Sequence, residues 1–315
     1  MTGAVRYVGR RLGVMAATLL VSSFVVFGAL YLAPGTPLAA LSGGKNLPAS
    51  AVRVLNQRFD LNQPFFVRYW HWLTGVLHGD FGYSVVHQSN VSTLLGQELP
   101  ISAELIVYAA LLTVVFGIAL GMLSALRPGK VDDLVLALTA GSAAMPAFVA
   151  GIVLLLFFSV DLGWLPALGQ GSGFLSRVRH LTLPAVSMAL AGFALIARVT
   201  RTSMREQLQN EHVQTAVSRG VGYWPIVTRH VMRNAAIPIV TSFVVVFATL
   251  IALDPVVESV FSISGVGGTL VNDALNKDIP SVQGVCLVLV AAFVVMNTLV
   301  DIAYRVLDPR LKERA

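Results

Sequence analysis

Residues 210–239 read NEHVQTAVSRGVGYWPIVTRHVMRNAAIPI, a polar, basic stretch set in an otherwise apolar chain. Both flanks read as long apolar helix. A polar segment of about 35 residues between two such helices is longer than a connector needs to be. Met204, Leu208, His212 or Val213, and Ala216 recur at roughly helical spacing and predict an amphipathic helix with a narrow apolar stripe. Arg219-Gly220 then reads as its end, because glycine at the position after the C-cap adopts the left-handed conformation and a cation in the last turn suits the helix dipole. Pro225 suits the first turn of a second short helix carrying Arg229 and Arg233 on one face. Two readings of this segment stay open on these grounds: a headgroup-bound linker, and a helix offered to another protein's groove.

Working outward, the composition sets the class. The chain has 315 residues, 56% hydrophobic and 12% charged, with a mean hydropathy of +0.75, too little polar surface to coat a soluble globule of this size. It reads as an integral membrane protein. Apolar runs near 12–33, 101–126, 133–160, 181–200, 237–257 and 282–305 approach the roughly 20 residues needed to cross a bilayer, which predicts six spans. The first run is longer than a signal-peptide core and no small-residue cleavage site ends it, so it is read as a retained span. With residue 1 inside, fifteen of the 22 Lys and Arg fall on the cytoplasmic side, so both termini are expected there. The net charge of +6 is thus topological and gives no argument for a nucleic-acid partner.

Three regions follow: residues 1–33 with the first span, an external insertion over 34–100, and a core of spans two to six over 101–315 with a cytoplasmic loop over 201–236. The insertion opens on Pro34, Gly35 and Pro37 and carries Phe65, Phe66, Tyr69, Trp70 and Trp72, side chains expected where a helix lies in the headgroup layer. No repeat of 20 to 50 residues is visible, so a pore built from this chain calls for a second subunit.

Chemistry is largely excluded by spacing. Gly44-Lys45 and Gly129-Lys130 both lack the following Ser or Thr and the preceding glycine of a P-loop, so the chain holds no nucleotide site of that type. The six histidines are scattered and no H-E-x-x-H occurs, which leaves no predicted metal site. Cys286 stands alone in an apolar run. Among charges within spans, Asp254 is the most informative. It lies 16 residues beyond Pro238, roughly 24 Å up a helix at about 1.5 Å per residue, near the external mouth. There Asp254-Pro255 either loosens the helix end or offers a carboxylate to a cationic substrate group. Asp254, Met145 and Phe148 are assigned to the substrate path.

The pattern T-A-x-x-R-G over Thr215, Ala216, Arg219 and Gly220, followed by His230, Arg233, Asn234 and Pro238, resembles the cytoplasmic coupling loop of ATP-binding-cassette (ABC) importer permeases in its peptide-transporter form. The resemblance extends over the chain. Gly79-Asp80, Gly82 and Ser84 look like the external segment of the B-type dipeptide and oligopeptide permeases. Residues 162–166 (LGWLP), His180-Leu181, Leu183-Pro184-Ala185, Arg198, Arg201, Phe261-Ser262, Gly265-Val266-Gly267 and Asp308-Pro309-Arg310 follow that family's order. Val217 stands where the signature usually has alanine, and Ser264 at a common proline position.

The resemblance implies an all-α polytopic membrane protein of the type I importer fold, six transmembrane helices with the insertion between helices 1 and 2, in the cell membrane. It implies a non-catalytic permease subunit of an ATP-driven peptide importer. Its partners would be a homologous second permease, two cytoplasmic ATPase subunits holding ATP and Mg, and an extracytoplasmic substrate-binding protein. Glu211, Thr215, Ala216, Arg219 and Gly220 would couple to the ATPase. The competing class is an ATP-independent secondary transporter or channel subunit, which would want charged relays or broken helices at mid-membrane.

Overall fold

The computed structural model describes the backbone of residues 2–32, 48, 49, 53 and 63–307, and the side chains of residues 9–29, 48, 49, 53 and 63–298. The structure is helical. In order, α1 is Thr2–Leu32, α2 Phe65–Leu77, α3 Val91–Leu126, α4 Lys130–Ala144, α5 Ala147–Leu154, α6 Phe174–Leu208, α7 Glu211–Ser218, α8 Met232–Val260, α9 Val266–Leu275 and α10 Ile279–Leu307. A two-stranded antiparallel hairpin, β1 (Tyr83–Ser84) with β2 (Ser89–Asn90), is the exception among the described residues to the all-helical expectation. Among the described residues, five helical runs are long and apolar enough to cross a membrane, Gly9–Ala29, Val91–Leu126, Phe174–Leu208, Tyr223–Val260 and Ile279–Thr298. A sixth candidate is α4 together with α5 and its π-helical continuation to Asp161, a pair bent by 103°.

Two compact units are distinguished. The first comprises residues 1–102 and 264–298. Within it α2 lies on α1. Phe27 sits 5.5 Å from Phe65 and 5.3 Å from Trp72 between ring centroids, Phe24 sits 5.3 Å from Tyr69, and the Ser23 and Tyr69 hydroxyls are 2.8 Å apart. Edge-on and tilted ring pairs of this kind stabilise a contact beyond the area they bury. Tyr69 and Trp72 are half-buried in this packing, while Phe66 and Trp70 remain exposed. Val91, Leu95, Val266 and Val285 form the unit's buried apolar cluster.

The second unit comprises residues 103–263 and 299–315. α6 and α8 run through it as neighbours, with α4 and α5 packed on α6. The contacts are close because small residues line them. A Cβ on Gly121 would stand 2.5 Å from the Thr200 Cβ, so α3 and α6 approach at a distance only glycine allows. Pro100, Pro184, Pro238 and Pro255 all lie inside helices. Helix-interior prolines are tolerated in spans, where neighbouring groups satisfy the freed carbonyls. This moves two expected boundaries: α3 starts at Val91 rather than near 101, and α8 continues past Pro255 to Val260, so Asp254-Pro255 does not end the helix.

Candidate functional site

The polar stretch between α6 and α8 folds differently from its periodicity. α6 continues to Leu208, then breaks at Gln209-Asn210, and α7 begins at Glu211. One helix through Met204–Ala216 was expected, and two are found. Asn210 takes an extended conformation (φ −72°, ψ 147°) that no helix residue can adopt, while its carbonyl accepts from the Val213 and Gln214 amides at 3.0 and 3.2 Å and so opens α7. Glu211 in the first turn faces the positive end of the helix dipole. The second short helix predicted from Pro225 is not separate either. Tyr223–Pro225 leads through a π-helical stretch, Ile226–Val231, straight into α8.

The end of α7 is the part that sequence anticipated. Gly220 has φ +77°. The Val221 amide donates to the Ala216 carbonyl at 3.1 Å and the Gly220 amide to the Val217 carbonyl at 2.9 Å, the paired bonds of a Schellman motif. Glycine is needed for the conformation alone, since a Cβ there would meet nothing within 4 Å.

This short helix has two faces. Val213 and Ala216, 3% and 6% exposed, turn inward, and α7 packs on the π-helical stretch and on α6. His212 Nε2 and Asn234 Nδ2 stand 3.3 Å apart across the same junction. Glu211, Thr215, Arg219 and Gly220 are exposed, as is Val217, whose extra methyls relative to alanine project outward at no packing cost. Four of the five residues expected to couple are thus exposed, Glu211 and Thr215 on the outer side of the eight-residue helix and Arg219 and Gly220 just past its end. Ala216 lies on the other, buried within its own chain.

The residues assigned to the substrate path differ in exposure. Met145 is extended (φ −92°, ψ 123°) at the bend between α4 and α5, and it and Phe148 are 41% and 43% exposed. Asp254 is fully buried in α8, one turn from the equally buried Glu258, and neither of its carboxylate oxygens has a hydrogen-bond partner among the described residues. Among the described residues no group of three or more His, Cys, Asp or Glu is placed to hold a metal ion.

Two polar clusters were not anticipated. In the first unit, His87 Nε2 is 2.8 Å from Asp273 Oδ1, and Asp278 accepts the Ser84 hydroxyl and the Val86 amide. In the second, Asp132 at the start of α4 accepts Arg201 Nε and Nη2 at 2.6 and 2.7 Å and Arg205 Nη2 at 2.8 Å. The partners in both clusters are distant in sequence and carry no local signature.

Residues 117–313 match the binding-protein-dependent transport system inner membrane component family, and residues 4–106 match its N-terminal membrane component. The chain belongs to this family. It is an inner-membrane permease subunit of an ABC importer, of the peptide-transporter branch. A probable peptide ABC transporter permease protein, y4tP of Sinorhizobium fredii, is 35% identical over 97% of this chain and 99% of its own length. The glutathione transport system permease protein GsiC of Salmonella typhimurium is 34% identical over 97% and 98%, and that of Escherichia coli K12 is 32% identical over the same shares. Among solved structures, an inward-facing conformation of the MetNI methionine ABC transporter is similar at a TM-score of 0.56 and 17% identity, covering 68% of this permease and 96% of that chain. That likeness supports the fold alone.

Proposed function

We propose that this permease forms half of the translocation path of an importer for short peptides, and that α7 is the element gripped by a cytoplasmic ATPase subunit. The observation that carries the second part is the construction of α7. It is opened by an extended residue and closed by a Schellman motif, it packs through Val213 and Ala216 onto its own chain, and it turns Glu211, Thr215 and Arg219 outward. A mere linker needs no such closure. In this reading the coupling surface consists of the outer residues, and Ala216 serves by seating the helix on the rest of the chain.

A homologous second permease completes the pore, two ATPase subunits supply ATP and Mg binding, and an extracytoplasmic binding protein delivers substrate. The bent pair counts as one span, giving six, with both termini cytoplasmic and the 34–100 insertion outside. Short peptides fit the relatives, a probable peptide permease and permeases of glutathione transport systems, glutathione being itself a tripeptide. Asp254, Met145 and Phe148 line the path in this reading, and Asp254 reaches substrate only when the outward state uncovers it.

The test is crosslinking in the assembled transporter. In a Cys286→Ser background, Thr215→Cys should crosslink to an ATPase subunit and Val213→Cys, on the inner face, should not. Equal reaction from both faces, or none from Thr215→Cys, would remove α7 from the interface.

A further inference from the structure

Asp132 occupies the first turn of α4, where a carboxylate already suits the helix dipole, but its contacts reach well beyond that helix. Arg201 grips it with both arms of the guanidinium fork, Nε on one oxygen at 2.6 Å and Nη2 on the other at 2.7 Å. Arg205, one turn along α6, adds Nη2 at 2.8 Å and gives the same nitrogen to the Ser124 carbonyl at 3.0 Å. The Ser124 hydroxyl donates to Asp132 as well. The last turn of α3, the first turn of α4 and the final turns of α6 are thereby tied to one carboxylate, which is only 9% exposed. A planar bidentate pair fixes orientation as well as distance, which a lysine point charge would not do.

Its position along the chain gives the network its meaning. Arg205 is three residues from the end of α6, and only Gln209 and Asn210 separate that end from α7. In the other direction α4 runs from Asp132 to the bend at Met145-Pro146, 13 residues or about 20 Å at about 1.5 Å per residue. We propose that Asp132 is the pin that makes α4 and the end of α6 move as one body, so that displacement of α7 reaches the bend carrying Met145 and Phe148. Asp132 touches neither nucleotide nor substrate in this scheme and acts as a positioning residue. The inference rests on α7 being the ATPase contact.

The pin is tested in the complete transporter, reconstituted with its second permease, ATPase subunits and binding protein. Spin labels at Ala137→Cys on α4 and Glu206→Cys on α6, both exposed positions, are placed in a Cys286→Ser background. Their separation is read without nucleotide and after trapping with ATP and vanadate. With Asp132 present the separation should be the same in both states, and in Asp132→Asn it should differ between them. Uptake of radiolabelled glutathione or trialanine per ATP hydrolysed should fall about tenfold in Asp132→Asn, within the usual span of coupling between sites, while hydrolysis itself persists. A purely structural role would lower both rates together and leave their ratio unchanged.

Should Asp132→Asn not assemble, Arg201→Lys keeps the charge, removes the fork, and is read by the same ratio and separation. A parental separation that changes between states, or an unchanged ratio in the variant, overturns the pin. Failure of Thr215→Cys to crosslink to the ATPase in the parent would instead overturn the coupling reading beneath it.

Discussion

Replacing Gly220 by valine strikes the end of α7, the helix proposed to meet the ATPase, without touching a span. At φ +77° a β-branched residue is strained by about 1–3 kcal/mol. The surroundings add no clash, because a Cβ at this position meets nothing within 4 Å, so the cost is conformational. If the backbone relaxes instead, the Gly220–Val217 and Val221–Ala216 bonds are lost at about 1 kcal/mol each. Either route costs about 2 kcal/mol. α7 has eight residues, no side-chain cap at its start, and little intrinsic stability at that length. A loss of about 2 kcal/mol lowers its folded population relative to unfolded by roughly 30-fold. Asparagine tolerates the left-handed region, so Gly220→Asn should lie near the parent and Gly220→Ala between. The assay measures membrane abundance, copurification of ATPase subunits, and uptake per ATP in the complete transporter. Parental abundance with graded loss of coupling, Gly above Asn above Ala above Val, is expected. Parental uptake and ATPase binding in Gly220→Val would refute the reasoning.

Further outcomes follow from other parts of the structure. Ala216→Glu should displace α7 by burying a charge against its own chain, whereas Gln209→Ala, at an exposed residue, should change stability by less than about 0.5 kcal/mol; coupling assays and thermal unfolding of the complex check both. Gly121→Leu should disrupt the α3–α6 approach and leave little folded protein in the membrane, read by detergent-resistant yield, because its Cβ would stand 2.6 Å from the Ala197 carbonyl oxygen. Ser172→Cys should label from outside intact cells and Gln209→Cys only after permeabilisation, and the reverse pattern would invert the topology. Asp254→Asn should raise the apparent KM for peptides with a free amino terminus and leave N-acetylated peptides unaffected.

The sequence was most readable where one residue meets one conformational requirement. Gly220 could be placed at the end of a helix because few other residues accept φ +77° there. Long apolar runs were legible too, since crossing hydrocarbon demands length and little else. Reading failed where a local rule was outweighed by the surroundings. Pro100 and Pro255 look like breakers in water, yet each sits inside a helix long and apolar enough to span a membrane. The break at Gln209-Asn210 was hidden because Met204, Leu208, Val213 and Ala216 fit a single helical stripe while belonging to two helices. The Asp132–Arg201 fork was invisible because its partners lie 69 positions apart, brought together only once α4 and α6 pack.

The most direct measurement is uptake into proteoliposomes of defined composition. With the second permease, both ATPase subunits and the binding protein present, this chain should support glutathione or peptide uptake that requires ATP, and alone it should neither hydrolyse ATP nor move peptide. Uptake by the purified chain alone, driven by a proton or sodium gradient without ATP, would contradict the account.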